Sequence, residues 1–389
     1  MVQLAATEKC TGCMACFDSC PKSAIILQPD ILGNLYPRIL EDSCLECMKC
    51  RTACPEINPP AAKEPNKAYA AWSLDQENRR TSASGGAAAE FYAKALAEDY
   101  WICGAEYTPN GRVIHTLSRS PEAILRYKQS KYVYSETGNT YREIKKKLDA
   151  GEKVLMISLP CKVAGLLSFL GKSYANLLTV DIVCHGTPSG QILQDHIAYV
   201  APGLKEYQLR FRKDNECLFQ LEAEGKTVYQ KIGRTDAYLA AFLEGLSYRY
   251  ACYHCQFATP QRVSDLTICD FWGLGTEIPF EHPYTGAISA VLVHTSKGQQ
   301  FFDECKDSLF VEARPVSEAI NGNAQLNAPT PIHPKRKMFE TLYQEHGFEY
   351  AVSDLLRQEM KIAQKEFFRR QLRMEAKKLA GFFLKRYRG

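Results

Sequence analysis

The sequence predicts an α+β chain with a small cysteine-rich N-terminal unit, a mixed α/β body and a C-terminal helical tail. Three observations predict it. A Cys-x2-Cys-x2-Cys-x3-Cys-Pro run occurs twice before residue 58. Short apolar strands then alternate with helical segments. The end of the chain is basic, with an aromatic and leucine face. The expected divisions are residues 1–58, a Pro-rich linker over 59–67 (PPAAKEPNK), a body over 68–330, and a helical region with a basic tail over 331–389.

In the first unit, Cys10–Pro21 and Cys44–Pro55 are one motif repeated 34 residues apart. In the body, Ala87–Ala97 reads as a helix that starts just after Gly85-Gly86. Lys153–Leu159 reads as a strand followed by a helix near Lys162–Leu170. Leu177–Val183 reads as a second strand followed by a helix near Gln191–Val200. This rhythm predicts a parallel sheet with crossover helices. Tyr207–Arg212, Leu218–Glu222 and Thr227–Lys231 alternate in polarity and predict an antiparallel meander. Thr235–Gly245 reads as helix, and Asp265–Phe271 and Ala287–His294 as further strands. From about Pro315 the pattern is helix and loop, ending in a long basic helix from about Tyr350.

Composition narrows the function classes. Hydrophobic residues make up 46% and charged residues 24%, an ordinary soluble composition. The net charge of +4 is too mild to argue for nucleic acid. Residues 361–389 alone hold ten Lys/Arg and two Glu, so the rest of the chain is mildly acidic. No apolar run approaches the ~20 residues of a membrane span. The start, MVQLAATEKC, lacks a basic-then-apolar leader. The sixteen cysteines are therefore expected to be reduced thiols of a cytoplasmic protein, mostly metal ligands.

The repeat carries the most specific chemistry. Paired x2 spacings fold consecutive thiolates around one cubane, and the fourth Cys of each run crosses to the other cluster. This predicts one [4Fe–4S] cluster on Cys10, Cys13, Cys16 and Cys54, and a second on Cys44, Cys47, Cys50 and Cys20. Zinc is served by Cys-x2-Cys alone, but it requires neither the third and fourth Cys at these offsets nor the Pro after each run. Residues 1–58 resemble bacterial-type two-cluster ferredoxins.

Four more cysteines stand apart. Cys161 and Cys184 each follow a predicted parallel strand, at the edge where open α/β sheets bind ligands. Cys252-x2-Cys255 completes a set of four. Spacing leaves two other readings open: a zinc half-site for Cys252 and Cys255, and a buried apolar side chain for each single Cys. Cys103, Cys217 and Cys305 lack partners at useful spacing and read as packing residues.

Four segments also carry a resemblance: Ser158–Leu166 (SLPCKVAGL), Asp181–Ser189 (DIVCHGTPS), Tyr253–Ala258 (YHCQFA) and Asp265–Gly273 (DLTICDFWG). Together they are similar to the β-subunit family of deazaflavin-coenzyme (F420) hydrogenases and dehydrogenases, which includes plant chlorophyll-cycle reductases. The resemblance spans roughly residues 68–300. It implies a flavin-binding body, FAD as cofactor, and a third [4Fe–4S] cluster on Cys161, Cys184, Cys252 and Cys255. It further implies that Ser82, Ser84, Gly85 and Gly86 form a Ser/Gly turn that brings backbone N–H groups to a flavin phosphate. Lys131 and Tyr132 fall in a flavin-contacting stretch, with Lys131 placed to hold negative charge. His185 is placed to hydrogen-bond flavin or substrate. Where the family usually has Gly before Asp-Phe-Trp-Gly, this chain has Cys269, whose side chain either packs in the core or crowds the ligand pocket.

The expected function is that of an iron–sulfur flavoprotein oxidoreductase. It passes electrons from ferredoxin, or a similar low-potential carrier, through the clusters to the flavin and on to a small-molecule acceptor. Bacterial relatives with a fused ferredoxin place such chains near surface-polysaccharide metabolism. Two competing readings are an electron-transfer subunit feeding a partner enzyme and a protein that uses clusters only structurally or for sensing. In the tail, Phe367, Phe368, Leu372, Leu379, Phe382 and Phe383 alternate with Arg369, Arg370, Arg373, Lys377, Lys378, Lys385 and Arg386. Such a helix lies on an anionic membrane surface, docks to an acidic partner, or packs on its own protein.

Overall fold

The computed structural model describes residues 2–213 and 216–386, with side chains described to residue 373. The N-terminal unit wraps two cysteine loops and two short helices, Ala15–Ser19 and Lys49–Thr52, around one hairpin. Its strands β1 (Ile25–Pro29) and β2 (Leu35–Ile39) pair antiparallel, Ile25 opposite Ile39. Asp30 fixes the turn by accepting hydrogen bonds from the Leu32 and Asn34 amides.

The body is built on a nine-stranded mixed sheet. In chain order its strands are β3 (Lys67–Ser73), β4 (Tyr100–Tyr107), β5 (Val113–Ser118), β6 (Ser135–Glu136), β7 (Lys153–Ser158) and β8 (Leu177–Ile182). An excursion follows, a separate three-stranded meander of β9 (Gln208–Lys213), β10 (Glu216–Ala223) and β11 (Lys226–Ile232). The chain then returns to the large sheet with β12 (Leu266–Asp270), β13 (Ser289–Val293) and β14 (Leu309–Arg314). The spatial order is β14-β3-β13-β12-β8-β7-β4-β5-β6. The central four, β12, β8, β7 and β4, run parallel, and antiparallel strands flank them. The expected parallel core and meander are both present. β3, β4, β5, β6 and β14 are additions to the sequence reading.

The helix after β7 spans Pro160–Leu170, starting two residues earlier than expected. Pro160 opens it, where a missing N–H costs nothing. Cys161 therefore sits in the first helical turn, at the positive end of the helix dipole. The segment 59–67 is pinned to the body, because Lys63 and Arg262 exchange backbone hydrogen bonds of 2.8 and 2.9 Å. Phe339, Phe348, Val352 and Leu355 of the C-terminal region share one core with the meander and the helix Gly190–Val200.

A helix then runs from Arg357 to Arg386. Its Phe368 and Leu372 are 60% and 50% exposed, and Arg370 pairs with Glu216. The side chains of Leu379, Phe382, Phe383, Lys377, Lys378, Lys385 and Arg386 lie outside the described residues. Among the described residues no helix is long and apolar enough to cross a membrane.

Two features make testable demands on stability. Gly165 faces the N-terminal unit, and a Cβ there would sit 2.8 Å from Cys13 Cβ and 2.9 Å from Tyr141 Oη. Helix propensity favours Ala over Gly by about 1 kcal/mol, but overpacking costs ~1–3 kcal/mol. Gly165→Ala should therefore lower the denaturant midpoint, and a raised midpoint would contradict the tight seam. Buried His196 hydrogen-bonds Asp236 at 3.0 Å and also Glu349. Burial pulls its pKa down, but the two carboxylates prevail and hold it at about 9. A raised pKa stabilises the fold below the ordinary value of ~6.5 and loses that contribution as pH rises through about 9. Wild type should thus lose more stability between pH 6 and pH 10 than His196→Asn does, by on the order of 3 kcal/mol. Parallel pH profiles would refute the ion pair.

Candidate functional site

The repeated motif is repeated in backbone conformation as well as in residues. Gly12 and Glu46 share a left-handed φ of 69° and 50°, and Met14 and Met48 one of 66° and 61°. Each pair is 34 residues apart, so both loops curl the same way around their thiols. Cys10, Cys13, Cys16 and Cys54 are brought together. Burial first, then the charges of Cys13, Cys10 and Cys54, push the Cys16 thiol well above its ordinary pKa. The second set, Cys20, Cys44, Cys47 and Cys50, lines a hollow with Leu45 and Met48 at its rim. Each set contains the fourth Cys of the other run. Cys50 is also among the charges felt by Cys16, so the two sets adjoin. Cys13 is buried and Cys47 exposed, which makes the first set the inner one.

A third set lies in the body. Cys161 in the first turn of its helix, Cys184 just past β8, and Cys252 and Cys255 at the short helical turn Tyr250–His254 line one hollow of about 620 Å³. His185, Lys162 and Arg262 share its wall. Burial pushes the Cys161 thiol up to about 12 and Cys255 to about 11, and their neighbouring thiols add to both shifts. Cys184 and Cys252 move the same way. Four adjoining buried thiols, which would repel one another once ionised, fit a cationic core that holds them as thiolates. The donor set is soft and all-sulfur, as iron–sulfur clusters require.

The inner N-terminal set abuts this third set across a dense seam. Gly12 offers its carbonyl to Lys162 Nζ at 2.7 Å and to the Tyr134 hydroxyl at 2.6 Å. Arg249 donates Nε to Cys10 O at 2.6 Å. Gln256 donates to Pro55 O at 3.2 Å. Gly165, one turn beyond Cys161, lets the helix approach Cys13. Lys162, Arg249 and Tyr134 were not among the site residues the sequence pointed to. The available signals were their proximity to chemistry-bearing residues and, for Lys162, a cation inside the apolar stretch CKVAGLL.

The other predicted residues fall along the carboxyl ends of the parallel strands and of β3. The Tyr248 hydroxyl donates to Phe242 O at 2.5 Å, so His185 Nδ1 donates to Tyr248. That fixes the tautomer and leaves Nε2 as the acceptor. Burial lowers the His185 pKa, so the ring is neutral at pH 7. Tyr132 stacks on Phe242 at 4.6 Å, and Phe242 touches the His185 ring at 5.6 Å, which joins these two predicted residues.

Lys131 turns inward. Its Nζ donates to the carbonyls of Tyr127, Lys128 and Gln129 at 3.3, 2.8 and 3.4 Å, and burial lowers its pKa to about 7. The Ser82–Gly86 turn does precede the helix Ala87–Ala97, with Gly86 at φ 91°. Both serine hydroxyls are engaged within the protein, Ser82 to Asn78 O and Ser84 to Ile288 O. A Cβ on Gly85 would meet Ala71 O at 2.5 Å, so Gly85 serves packing. Arg79 and Lys128 lie on neighbouring loops, donating to Ala287 O and Asn78 O, and the first turn of the helix itself carries Glu90, which accepts from Ser73 and Asn78. Sequence reasoning missed both cations. Cys269 is half-buried and packs among Phe271, Leu274 and neighbours.

Two family models match separate segments of the chain. Residues 9–57 match the family model of the 4Fe-4S dicluster domain. Residues 151–319 match the family model for the C terminus of the coenzyme F420 hydrogenase/dehydrogenase β subunit. An uncharacterized ferredoxin of Methanocaldococcus jannaschii is 36% identical over 66 residues, covering 15% of this chain and 84% of its own. Among solved structures, a chain of the F420-reducing [NiFe] hydrogenase complex from Methanosarcina barkeri aligns with a TM-score of 0.43 at 16% identity. That alignment covers 74% of this chain and 90% of the other. By the two family models, the chain carries a two-cluster [4Fe–4S] ferredoxin domain over residues 9–57 and, over residues 151–319, the C-terminal region of the coenzyme F420 hydrogenase/dehydrogenase β-subunit family, which supports an oxidoreductase-type electron-transfer role.

Proposed function

We propose that the chain is a ferredoxin-linked iron–sulfur flavoprotein that carries electrons from its exposed N-terminal end to an acceptor at the carboxyl edge of the body sheet. One observation carries this reading. Three sets of four cysteines adjoin in series, and the last shares its hollow with His185. The ligand sets are Cys20, Cys44, Cys47 and Cys50 outermost, Cys10, Cys13, Cys16 and Cys54 next, and Cys161, Cys184, Cys252 and Cys255 innermost. When bound, [4Fe–4S] clusters exchange single electrons and FAD exchanges them in pairs.

The protein's own residues provide the setting. The start of the helix Ala87–Ala97 offers backbone N–H groups to an FAD phosphate, with Glu90, held by Ser73 and Asn78, as the opposing charge in its first turn. Lys131 holds its loop closed through three carbonyls, with its amine over the Tyr107 ring. His185, neutral and with Nε2 free to accept, orients an N–H or O–H of flavin or substrate. Tyr132 and Phe242 form an aromatic wall beside it. The external donor is a reduced ferredoxin or similar carrier in a reducing, cytoplasmic setting, and the acceptor is a small molecule. A role in surface-polysaccharide metabolism follows from the family resemblance rather than from any residue of the site.

A second reading, an electron-transfer subunit that feeds a partner enzyme, is favoured by the matched family's description as a β subunit and by the exposed Phe368 and Leu372. Those two side chains, with the basic residues around them, suit a partner or a membrane surface.

The test is anaerobic reduction of the bound flavin by reduced ferredoxin, followed by absorbance. Wild type should reduce fully. Cys161→Ser should lose about four irons per chain and slow flavin reduction at least tenfold while keeping its flavin. Unchanged iron in Cys161→Ser would refute the third ligand set, and absence of flavin from wild type would refute the flavoprotein reading.

A further inference from the structure

Two buried cations in the seam have no role in the reading above. Arg249 is 1% and Lys162 0% exposed. Arg249 donates Nε to Cys10 O at 2.6 Å and Nη2 to Leu35 O at 2.8 Å, and Nη2 lies 3.8 Å from Cys10 Sγ. Its guanidinium stacks 4.1 Å above the Tyr36 ring. Gly12 is glycine in part because a Cβ would lie 2.9 Å from that guanidinium. Lys162 donates to Gly12 O at 2.7 Å and lies 4.3 Å above the Tyr134 ring. Their partners are backbone carbonyls, tyrosine faces and the Cys10 sulfur. Among the described residues neither is neutralised by a carboxylate at contact distance. Glu136 faces Lys162 only as a minor influence. Glu56, on the far side by Cys54, Cys161 and Cys255, is driven toward its neutral form by burial.

Two unpaired charges in a dry seam are costly unless something negative answers them. The negative group beside Arg249 is the Cys10 thiolate of the inner cluster, and Lys162 stands between Cys161 of the third set and Cys13 of the inner one. One-electron reduction of a cluster adds a unit of negative charge and moves no atoms. Burial alone opposes that charge, so the inner cluster would be harder to reduce than the outer one, whose Cys47 is exposed. Buried cations reverse this, because their field is little screened in a low-dielectric interior. Charge and hydrogen bonds at the sulfurs are the protein's main controls on cluster potential.

We infer that Arg249 and Lys162 are positioning residues that raise the reduction potential of the inner N-terminal cluster above that of the outer one, and so draw electrons inward. Both cations come from the body, so the N-terminal unit acquires this polarity only when docked. The inference rests on the ligand assignment proposed for Cys10, Cys13, Cys16 and Cys54, and on neither a third cluster nor a flavin.

Potentiometric titration of the holoprotein by electron paramagnetic resonance tests it, with Cys47→Ser marking the outer signal and iron quantified on every sample. The inner signal should appear at the higher potential. Arg249→Gln should shift its reduction equilibrium at least tenfold toward oxidised, about 59 mV for one electron, and leave the outer signal in place. Arg249→Lys, which keeps the charge, should retain most of the wild-type potential. Where Arg249→Gln loses iron, Lys162→Met should still lower the inner potential and leave the outer signal in place. An unmoved inner potential with iron retained, or an equal shift of both signals, would overturn the inference. Iron near eight per chain rather than twelve would count against the third cluster alone.

Discussion

Gathering buried thiols is the constraint on which this architecture depends. A thiol taken out of water resists ionisation, and a second beside it resists more. Cys13, Cys161 and Cys184 all show this, with burial the leading cause in each. A cationic core would convert such a set to bound thiolates, and metal binding would then be coupled to folding. The surroundings support that state: a helix start under Cys161, guanidinium N–H groups near Cys10, and left-handed residues that curl each loop.

The second consequence is a seam rather than a linker. A cysteine-rich unit of this size has too little apolar surface to hold itself together without metal. Here it is also packed against the helix Pro160–Leu170, where Gly165 permits contact with Cys13. Carbonyls of the first cysteine loop are bound by Lys162, Tyr134 and Arg249 of the body. The residues that anchor the seam thus stand next to those that line the third hollow.

Much of this was legible in the sequence, for reasons that differ by element. The cysteine spacing was readable because cluster geometry dictates it. β7 and β8 were readable because their short apolar runs are bounded by turn residues. β3 escaped because KAYAAWS is rich in alanine, a weak strand former, although six of its seven residues are buried. β4 and its partner β5 carry mixed sequences whose pairing is decided by tertiary context. Lys162, Arg249, Arg79 and Lys128 escaped for another reason. A lysine or arginine in sequence reads as solvated, and only the fold shows which ones are enclosed. Conversely, Ser82, Ser84 and Gly85 stand where expected, but with hydrogen bonds or packing duties inside the protein. The turn offers its helix start rather than its side chains.

The most direct test of the account is anaerobic quantitation of iron, acid-labile sulfide and released flavin in the purified protein. About twelve irons and one flavin per chain are expected, three four-iron clusters in series with a flavin. About eight irons and no flavin would contradict it, leaving a two-cluster ferredoxin domain on a body that carries no redox group of its own.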